Sequence, residues 1–254
     1  MINDAFDNSK PLFTPKESYG SMGIDAIEKI CDKCIVTYSV QVKEEILKKY
    51  SNKNVAFTGT ANGIIDVYYL EELDVLFYMS PVCAPGAVAV LEEISYITGA
   101  KNFIFFGSCG ILDKDAKDKI IIPTKAYRDE GTSYHYAPAS DFIDLKNYKL
   151  IEEVCKKNNL NYILGYTWTT DSIYRETVSN IEKRKKQGCI GVEMESSALE
   201  AVCDFNKLNL YTFFLSGDII VVDGWDRSDL GIQIEHKKQL SSFDVAVLIA
   251  NEIK

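Results

Sequence analysis

The sequence predicts an α/β fold in which a central mixed, mostly parallel β-sheet is flanked by helices on both faces. Continuous apolar runs, typical of buried strands, alternate with amphipathic segments typical of helices. The 254 residues contain no linker, repeat or low-complexity tract, and a chain of this length can bury most of its surface around one core. We therefore expect a single domain over residues 1–254, with a polar, partly extended leader over residues 1–33.

In the first half of the chain, apolar and β-branched runs predict strands. A segment with helical spacing follows the first strand, and Asn62-Gly63 places a turn between the second and third. A helix follows the fourth strand, with Pro85 near its start and Gly99 at its end. The predicted strands are Cys34–Val40, Asn54–Gly63, Ile64–Glu72, Val75–Ser80 and Asn102–Gly110.

In the second half, strands and helices alternate more regularly. A strand within Lys119–Tyr136 leads into a polar loop, and two further strands are predicted at Tyr162–Thr170 and Leu210–Asp218. A stripe of apolar residues with helical spacing begins at Met194, and it continues through Ala198, Val202 and Phe205. The other predicted helices are Asp144–Leu160, Glu176–Gly188 and His236–Ile253.

Composition and charge argue against several classes of function. The formal charge is −9 at pH 7, and so acidic a surface repels phosphate backbones and anionic lipids, so we expect no nucleic-acid and no membrane partner. The first residues are polar and lack the apolar core of a signal peptide, which predicts a cytoplasmic protein with reduced thiols. Cys31 and Cys34 form a CxxC pair, but no second pair and no spaced histidines accompany it, so we expect no metal site.

Polar or glycine-rich residues follow three of the apolar strands. These residues are "GSCG" after Phe106, "EME" after Val192 and "SGD" after Leu215. Ligands of such sheets bind beyond the carboxyl ends of the strands, so we expect the functional site there. Glu193 and Glu195 also suit the start of a helix, where the dipole favours acidic side chains. On the residues alone, a helix start and a clamp for paired hydroxyl groups are both open.

From Cys34 onward the chain resembles the nucleoside phosphorylase-I superfamily, which includes purine nucleoside phosphorylases, uridine phosphorylases and related nucleoside hydrolases. The spacing from Glu195 to Asp218 matches the purine branch, and the "VEMES" motif is the most specific part of the likeness. The motifs that carry it are "FFGSCG", "RDEGTSYHYAP" (Arg128–Pro138), "TTDSIY" (Thr169–Tyr174), "GVEMESSAL" and "LSGD".

This resemblance implies two catalytic carboxylates. Glu195 would accept hydrogen bonds from the 2′ and 3′ hydroxyls of ribose and stabilise the positive charge that develops on the sugar. Glu193 and Met194 would complete the ribose site, with Met194 beneath the sugar. Asp218 would protonate N7 of a departing purine as general acid.

The sequence departs from the family around that acid. Gly217 precedes Asp218, and the arginine that assists the acid in relatives is not at its expected place. Arg227 is a possible substitute for it, and Asp223 and Asp226 are alternatives to Asp218 if the loop differs.

The base site is less specified by the sequence. By resemblance, Tyr174 would lie against the base together with Cys109, Gly110 and Asp218. The pair of residues that reads a pyrimidine in uridine phosphorylases is absent, and the presence of Asp218 favours a purine. Further possible pocket residues are Arg128, Thr132, His135 and Arg175, and Thr14 or Tyr19 for the 5′ hydroxyl of the ribose.

The phosphate site departs most from the family. Gly107, Ser108 and Lys43 are the expected phosphate ligands, and Gly110 belongs to the same glycine-serine segment. At the positions of the family's arginines stand Ser39 and Lys43, then Asn52, then Phe105. A lysine is a point charge and does not replace the two-pronged contact of a guanidinium group with phosphate.

Three hypotheses about the reaction follow. The first, which the overall similarity to the family favours, is a nucleoside phosphorylase that converts a purine nucleoside and inorganic phosphate to free base and ribose 1-phosphate, without a cofactor. The second is a nucleoside hydrolase that uses water, because the arginines are replaced. The third is a nucleoside-binding protein without turnover, which the presence of both Glu195 and Asp218 disfavours. The resemblance also implies a homodimer or a hexamer built from dimers.

Overall fold

The helices and strands follow one another along the chain in a mixed order. The computed structural model describes residues 4–21, 29–221, 224–226 and 233–254. The helices are α1 (Pro15–Ser21), α2 (Val40–Lys49), α3 (Ala84–Thr98), α4 (Ser133–Tyr136), α5 (Tyr148–Lys157), α6 (Val178–Lys186), α7 (Ser196–Asn206) and α8 (Gln233–Glu252). The strands are β1 (Lys33–Thr37), β2 (Asn52–Thr60), β3 (Gly63–Leu70), β4 (Val75–Met79), β5 (Asn102–Ile111), β6 (Ile120–Asp129), β7 (Phe142–Asp144), β8 (Tyr162–Thr170), β9 (Cys189–Glu193), β10 (Asn209–Val221) and β11 (Gly224–Asp226).

These strands form one mixed sheet, as the sequence predicts. Its order is β11-β10-β6-β8-β9-β5-β1-β4-β3-β2, with β7 beside β6. Strand β5 also pairs with β10, so β5, β10, β6, β8 and β9 close into a ring. Parallel pairs join β4 to β1, β1 to β5, β5 to β10, β6 to β8 and β8 to β9. The sheet is less parallel than predicted, because the β2–β3–β4 hairpins and the closure of the ring add antiparallel pairs.

Helices cover both faces of the sheet and bury two cores. Strand β1 contributes side chains to both cores, because successive residues of a strand point to opposite faces of the sheet. Cys34 and Val36 pack with apolar residues of α3 and α7, whereas Ile35 packs with residues of α2, α5 and α8. The expectation of helices on both faces is therefore confirmed. Phe205 departs from the predicted stripe of α7, because its side chain is 44% exposed.

The leader is not simply extended. It contains α1, whose Tyr19 is buried and donates a hydrogen bond to Glu93 while sharing another, 2.6 Å long, with the Thr58 hydroxyl. Thr14 precedes α1 and binds the Glu17 carboxylate through its backbone N–H and its hydroxyl. Both candidates for the 5′ hydroxyl are thus engaged within the N-terminal part of the fold.

The seven cysteines are free thiols. Cys31, the first of the CxxC pair, is buried, and its sulfur contacts the Asp74 carbonyl oxygen at 3.0 Å. Within the ranges described, no helix combines the length and apolar character that crossing a bilayer requires.

Candidate active site

Two buried carboxylates stand between the end of β9 and the start of α7. Glu193 is the last residue of β9, and Glu195 takes the N-cap position of α7. Their side chains are only 5% and 6% exposed. A buried charge is costly unless donors compensate it, so the partners of each carboxylate indicate its use.

Glu193 is occupied by internal donors. Its Oε2 accepts hydrogen bonds from the backbone N–H of Glu195 (2.8 Å) and of Ser196 (2.7 Å). Its Oε1 accepts one from the Thr169 hydroxyl at 2.5 Å. The side chain therefore caps the start of α7, and its contact with ribose stays a prediction. Burial raises the pKa of Glu193, and these three donors oppose that rise.

Glu195 is held from across the sheet. Its Oε1 accepts a 2.7 Å hydrogen bond from the backbone N–H of Cys83, at the N-cap of α3. Cys83 has φ 80° and ψ 143°, a conformation that residues other than glycine rarely adopt. Burial, and secondly the charge of Glu193, raise the pKa of Glu195 to about 8, against the Cys83 hydrogen bond.

Asp218 lies in a β-bulge of β10. Ser216 pairs with Cys109 of β5 and Ile219 pairs with Ile111, so Gly217 and Asp218 together face Gly110. Gly217 is required there, because a Cβ atom would stand 2.9 Å from the Cys109 carbonyl oxygen. Trp225 of β11 donates its indole N–H to Asp218 Oδ2 at 2.5 Å and so orients the carboxylate.

Gly110 brings the two acidic regions together. On one side it pairs with Val192, which directly precedes Glu193. On the other side a Cβ atom on Gly110 would lie 3.4 Å from Asp218 Oδ1. Burial raises the pKa of the neighbouring Cys109 thiol, and the charges of Glu193 and Asp218 raise it further. The three strand ends singled out in the sequence therefore meet at one place.

Glu176, which no sequence motif marks, belongs to this acidic region. It follows a single 3₁₀ turn, Ile173–Arg175, in the loop after β8. Burial and then the charge of Asp218 raise its pKa to about 7. Tyr174 of the same turn is 96% exposed, so the structure does not place its ring in the pocket as expected. Arg175 is also exposed there.

The expected phosphate loop is not a loop. Gly107 and Ser108 lie inside β5, where they pair with β10. The ring of Tyr38 stands over Gly107, with Cδ2 3.1 Å from where a Cβ atom would be. Lys43 lies within α2, and the Ser39 hydroxyl caps that helix by accepting the Val42 N–H at 3.3 Å. Gly107 and Ser108 therefore have the backbone geometry of a strand and do not form an anion-binding turn.

The positions of the family's other phosphate arginines are also used internally. The amide of Asn52 donates to the carbonyl oxygens of Leu47 (2.8 Å) and Tyr50 (2.9 Å). Phe105 is fully buried, and the centre of its ring lies 6.0 Å from the centre of the Tyr38 ring.

Arg128 holds the loop after β6 together, and a contact of this residue with substrate stays a prediction. Its guanidinium is buried and lies 4.1 Å from the centre of the Tyr134 ring. It donates to Ser133 Oγ at 2.8 Å and fixes the loop after β6. Its other acceptors are the Pro138 carbonyl (2.7 Å), Ser140 Oγ (3.0 Å) and the Ala137 carbonyl (3.3 Å).

Of the alternatives to Asp218 and to its assisting arginine, the structure describes Asp226. Asp226 pairs with Ile219 at the end of β11 and is exposed. Arg227 and Asp223 lie outside the described residues.

A pocket of about 430 Å³ opens at the start of α3. It lies between the start of α3 and the loops after β6 and β8, and Thr132, His135 and Asp171 line it. Asp171 accepts the Gly131 N–H at 3.0 Å, and burial raises its pKa. Burial, then the charge of Glu195 and that of Asp171, raise the pKa of the Cys83 thiol. Pro85, two residues after the Cys83 that holds Glu195, also lines this pocket.

Several of these groups carried weak sequence signals. Glu176 and Asp171 stand in the loop after a predicted strand, the position where site residues of such sheets are found. Trp225 lies in the segment that departs from the family. The backbone role of Cys83 has no sequence signal, because any residue except proline has an N–H to donate.

The chain is similar to known proteins in sequence and in fold. A family model described as "Phosphorylase superfamily" matches residues 42–241. A purine nucleoside phosphorylase DeoD-type from Aliivibrio fischeri is 31% identical over 130 residues, which cover 50% of this chain and 54% of the relative. One from Brevibacillus brevis is 26% identical over 176 residues, or 68% and 66%. The alignments thus span less than two thirds of these relatives.

Solved structures share the fold at low identity. Purine nucleoside phosphorylase from Toxoplasma gondii, in complex with immucillin-H, superposes with a TM-score of 0.72 at 16% identity, over 88% of this chain and 92% of that one. AMP nucleosidase from Bacteroides thetaiotaomicron gives 0.70 at 17%, over 94% and 98%. A futalosine hydrolase mutant of Helicobacter pylori gives 0.70 at 13%, over 88% and 100%.

Proposed function

The chain belongs to the phosphorylase superfamily, and on that premise we propose that it cleaves the N-glycosidic bond of a purine nucleoside. The observation that carries the proposal is the placement of acidic groups on both sides of Gly110, with the Glu193–Glu195 turn on one side and Asp218 on the other. Cleavage of this bond leaves positive charge on the sugar and negative charge on the base. An anionic group toward the sugar and an acid toward the base would assist both changes.

Toward the sugar, Glu195 is the group that would accept hydrogen bonds from the 2′ and 3′ hydroxyls. The half-buried Met194 would lie beneath the sugar. Burial strengthens these hydrogen bonds, because the surroundings screen charge less than water does. Two hydroxyl donors would also favour the ionised carboxylate, against the burial that raises the pKa of Glu195 to about 8. The Cys83 N–H would keep Oε1 of Glu195 in place while the sugar binds.

Toward the base, Asp218 is the group that would protonate N7. Trp225 holds its Oδ2, and the strand segment of Cys109 and Gly110 would lie beside the base. Glu176, with a pKa of about 7, carries a proton near neutral pH and would supply it to Asp218. A contact of Tyr174 with the base stays a prediction.

We propose water as the acceptor of the ribosyl group. Phosphate needs cations, and the described arginines offer little for it: Arg128 is bound to its own loop, and the Arg175 side chain is exposed on its turn. Arg184 lies 3.3 Å from the centre of the Tyr127 ring and donates to Gln187 at 2.7 Å. The carboxylates around Gly110 would repel an anion, whereas they impose no such penalty on water.

Phosphorolysis is the second candidate. The names of the curated relatives, purine nucleoside phosphorylases at 26% and 31% identity, favour it. Lys43, Gly107 and Ser108 would then contribute to the phosphate site, and phosphate would be a co-substrate. A homodimer or a hexamer built from dimers also stays a prediction, and a second subunit is another source of a phosphate-binding cation.

One experiment separates these reactions. Purified protein is incubated with a panel of purine and pyrimidine nucleosides, with and without phosphate, while free base and sugar product are measured. Release of a purine base with free ribose, at a rate indifferent to phosphate, is expected. Release that requires phosphate and gives ribose 1-phosphate supports the second candidate. Saturable nucleoside binding without release would show a binding protein and contradict both.

A further inference from the structure

A chain of buried hydrogen bonds connects the turn that carries Glu195 with the loop after β6. Its four members come from two strands, one helix and one loop, and none is more than 5% exposed. They are Glu193 of β9, Thr169 of β8, Ser197 of α7 and Glu130 after β6. None of these four residues is needed as a direct substrate contact in the proposed reaction.

The hydroxyl groups give this chain a defined direction. The Thr169 hydroxyl donates its single hydrogen to Glu193 Oε1 (2.5 Å) and accepts the N–H of Ser197 (3.1 Å). The Ser197 hydroxyl donates to Glu130 Oε1 at 2.8 Å, and Glu130 Oε2 accepts the N–H of Ser133 at 2.9 Å. Each hydroxyl thus serves a carboxylate, and the two carboxylates end the chain.

The same contacts satisfy the start of α7. The N–H groups of Glu195 and Ser196 bind Glu193, and that of Ser197 binds Thr169. Backbone donors at a helix start have no partner within the helix, so the side chains that receive them determine how the helix begins. The positive end of the helix dipole also favours the negative charge of Glu193.

We infer that Glu193 and Thr169 are positioning residues that fix the backbone of Glu195 and so the direction of its carboxylate. Glu195 has φ −137° and ψ −30°, outside the helix, and its N–H is bound to Glu193 at 2.8 Å. The far end of the chain, at Glu130 and Ser133, anchors the loop whose Thr132 lines the pocket. The inference deepens the proposed function and rests on it.

The first measurement compares kcat/KM for a purine ribonucleoside between wild-type protein and Thr169→Val. Valine keeps the shape of the side chain but removes both the donor to Glu193 and the acceptor for Ser197. A loss on the order of 10- to 100-fold is expected, the size caused by a small displacement of a substrate-binding group. Thr169→Ser, which keeps the hydroxyl, is expected to recover most of the activity. The matched control is Thr212→Val, at a buried threonine of β10 that is not part of these hydrogen bonds. Its kcat/KM is expected to stay within about twofold of the wild-type value.

The decisive measurement repeats Thr169→Val in a Glu195→Gln background. If Thr169 acts through the Glu195 carboxylate, its substitution is expected to change the remaining activity by less than about twofold. An equal loss in both backgrounds, or no recovery by Thr169→Ser, would overturn the inference.

A second variant covers the case in which Thr169→Val does not fold. Glu193→Gln offers one acceptor oxygen where the carboxylate has two, so it cannot receive Thr169 and both backbone donors in the same way. Its loss is likewise expected to disappear in the Glu195→Gln background, and persistence of that loss would contradict the inference. Failure of the proposed function is distinguishable, because wild-type protein would then release no base at all.

Discussion

The Cys83 backbone N–H donates a 2.7 Å hydrogen bond to Oε1 of Glu195, which lies 112 residues further along the chain. In making this contact, Cys83 adopts a positive φ of 80°. Such a conformation costs a residue other than glycine on the order of 1–3 kcal/mol. The start of α3 is therefore strained where it meets the carboxylate.

This strain predicts the effect of substitutions at Cys83. Cys83→Gly is expected to be about 1–2 kcal/mol more stable than Cys83→Ala, because glycine adopts positive φ freely. Both variants keep the N–H, so both are expected to bind nucleoside. Denaturant unfolding at neutral pH gives the comparison. Equal stability of the two variants would show that the backbone of Cys83 is not strained.

The dependence of kcat/KM on pH is expected to be bell-shaped. Activity should rise as Glu195, with a pKa of about 8, loses its proton, and fall as Glu176, with a pKa of about 7, loses its own. The optimum then lies between these values, and the two limbs belong to the pair of groups jointly. Initial rates of base release between about pH 5 and about pH 10, which is about 2 units below the lower and above the higher pKa, measure the profile.

Two variants assign the limbs of this profile. Glu195→Gln is expected to remove the rise, and Glu176→Gln to remove the fall at higher pH. A profile for Glu195→Gln that keeps the wild-type rise would mean that another group titrates.

Gly217 is expected to be intolerant of any side chain. A Cβ atom there would stand 2.9 Å from the Cys109 carbonyl oxygen, which is backbone and cannot move aside. Gly217→Ala is therefore expected to destabilise the fold by about 1–3 kcal/mol and to displace Asp218, which lowers activity. Gly59→Ala is the matched control, since a Cβ at Gly59 has nothing within 4 Å. Similar unfolding curves for the two variants would contradict the close approach.

Asp218 is expected to matter more for purines than for pyrimidines. Only a purine offers N7 to an acid, so Asp218→Asn should lower purine release by on the order of 10²–10⁴-fold and affect any pyrimidine release much less. Rates for one substrate of each kind, measured with wild type and variant, provide the test. Equal losses for both bases would remove the acid role from Asp218.

The sequence predicts the sheet and the meeting of three strand ends, because continuous apolar runs and polar strand ends are local signals. It does not separate the roles of Glu193 and Glu195. In the sequence both residues suit a helix start and a sugar clamp, and the structure shows Glu193 at the helix start. That division depends on donors from Thr169 and Cys83, which are distant in the chain.

Other features escaped the sequence for related reasons. The bulge at Gly217 depends on the register between β10 and β5, which no local pattern encodes. Arg128 is a strong charge in a loop motif, yet its donors go to the same loop. Tyr174 carries a family role by position, but the conformation of its turn leaves it exposed.

The central claim is that the Glu195 carboxylate holds the sugar while the bond to the base breaks. Its most direct test is the rate of base release from a purine ribonucleoside by Glu195→Ala, with the unfolding midpoint measured in parallel. The account predicts a loss on the order of 100-fold or more with the fold intact. A folded Glu195→Ala protein that releases base at the wild-type rate would contradict it.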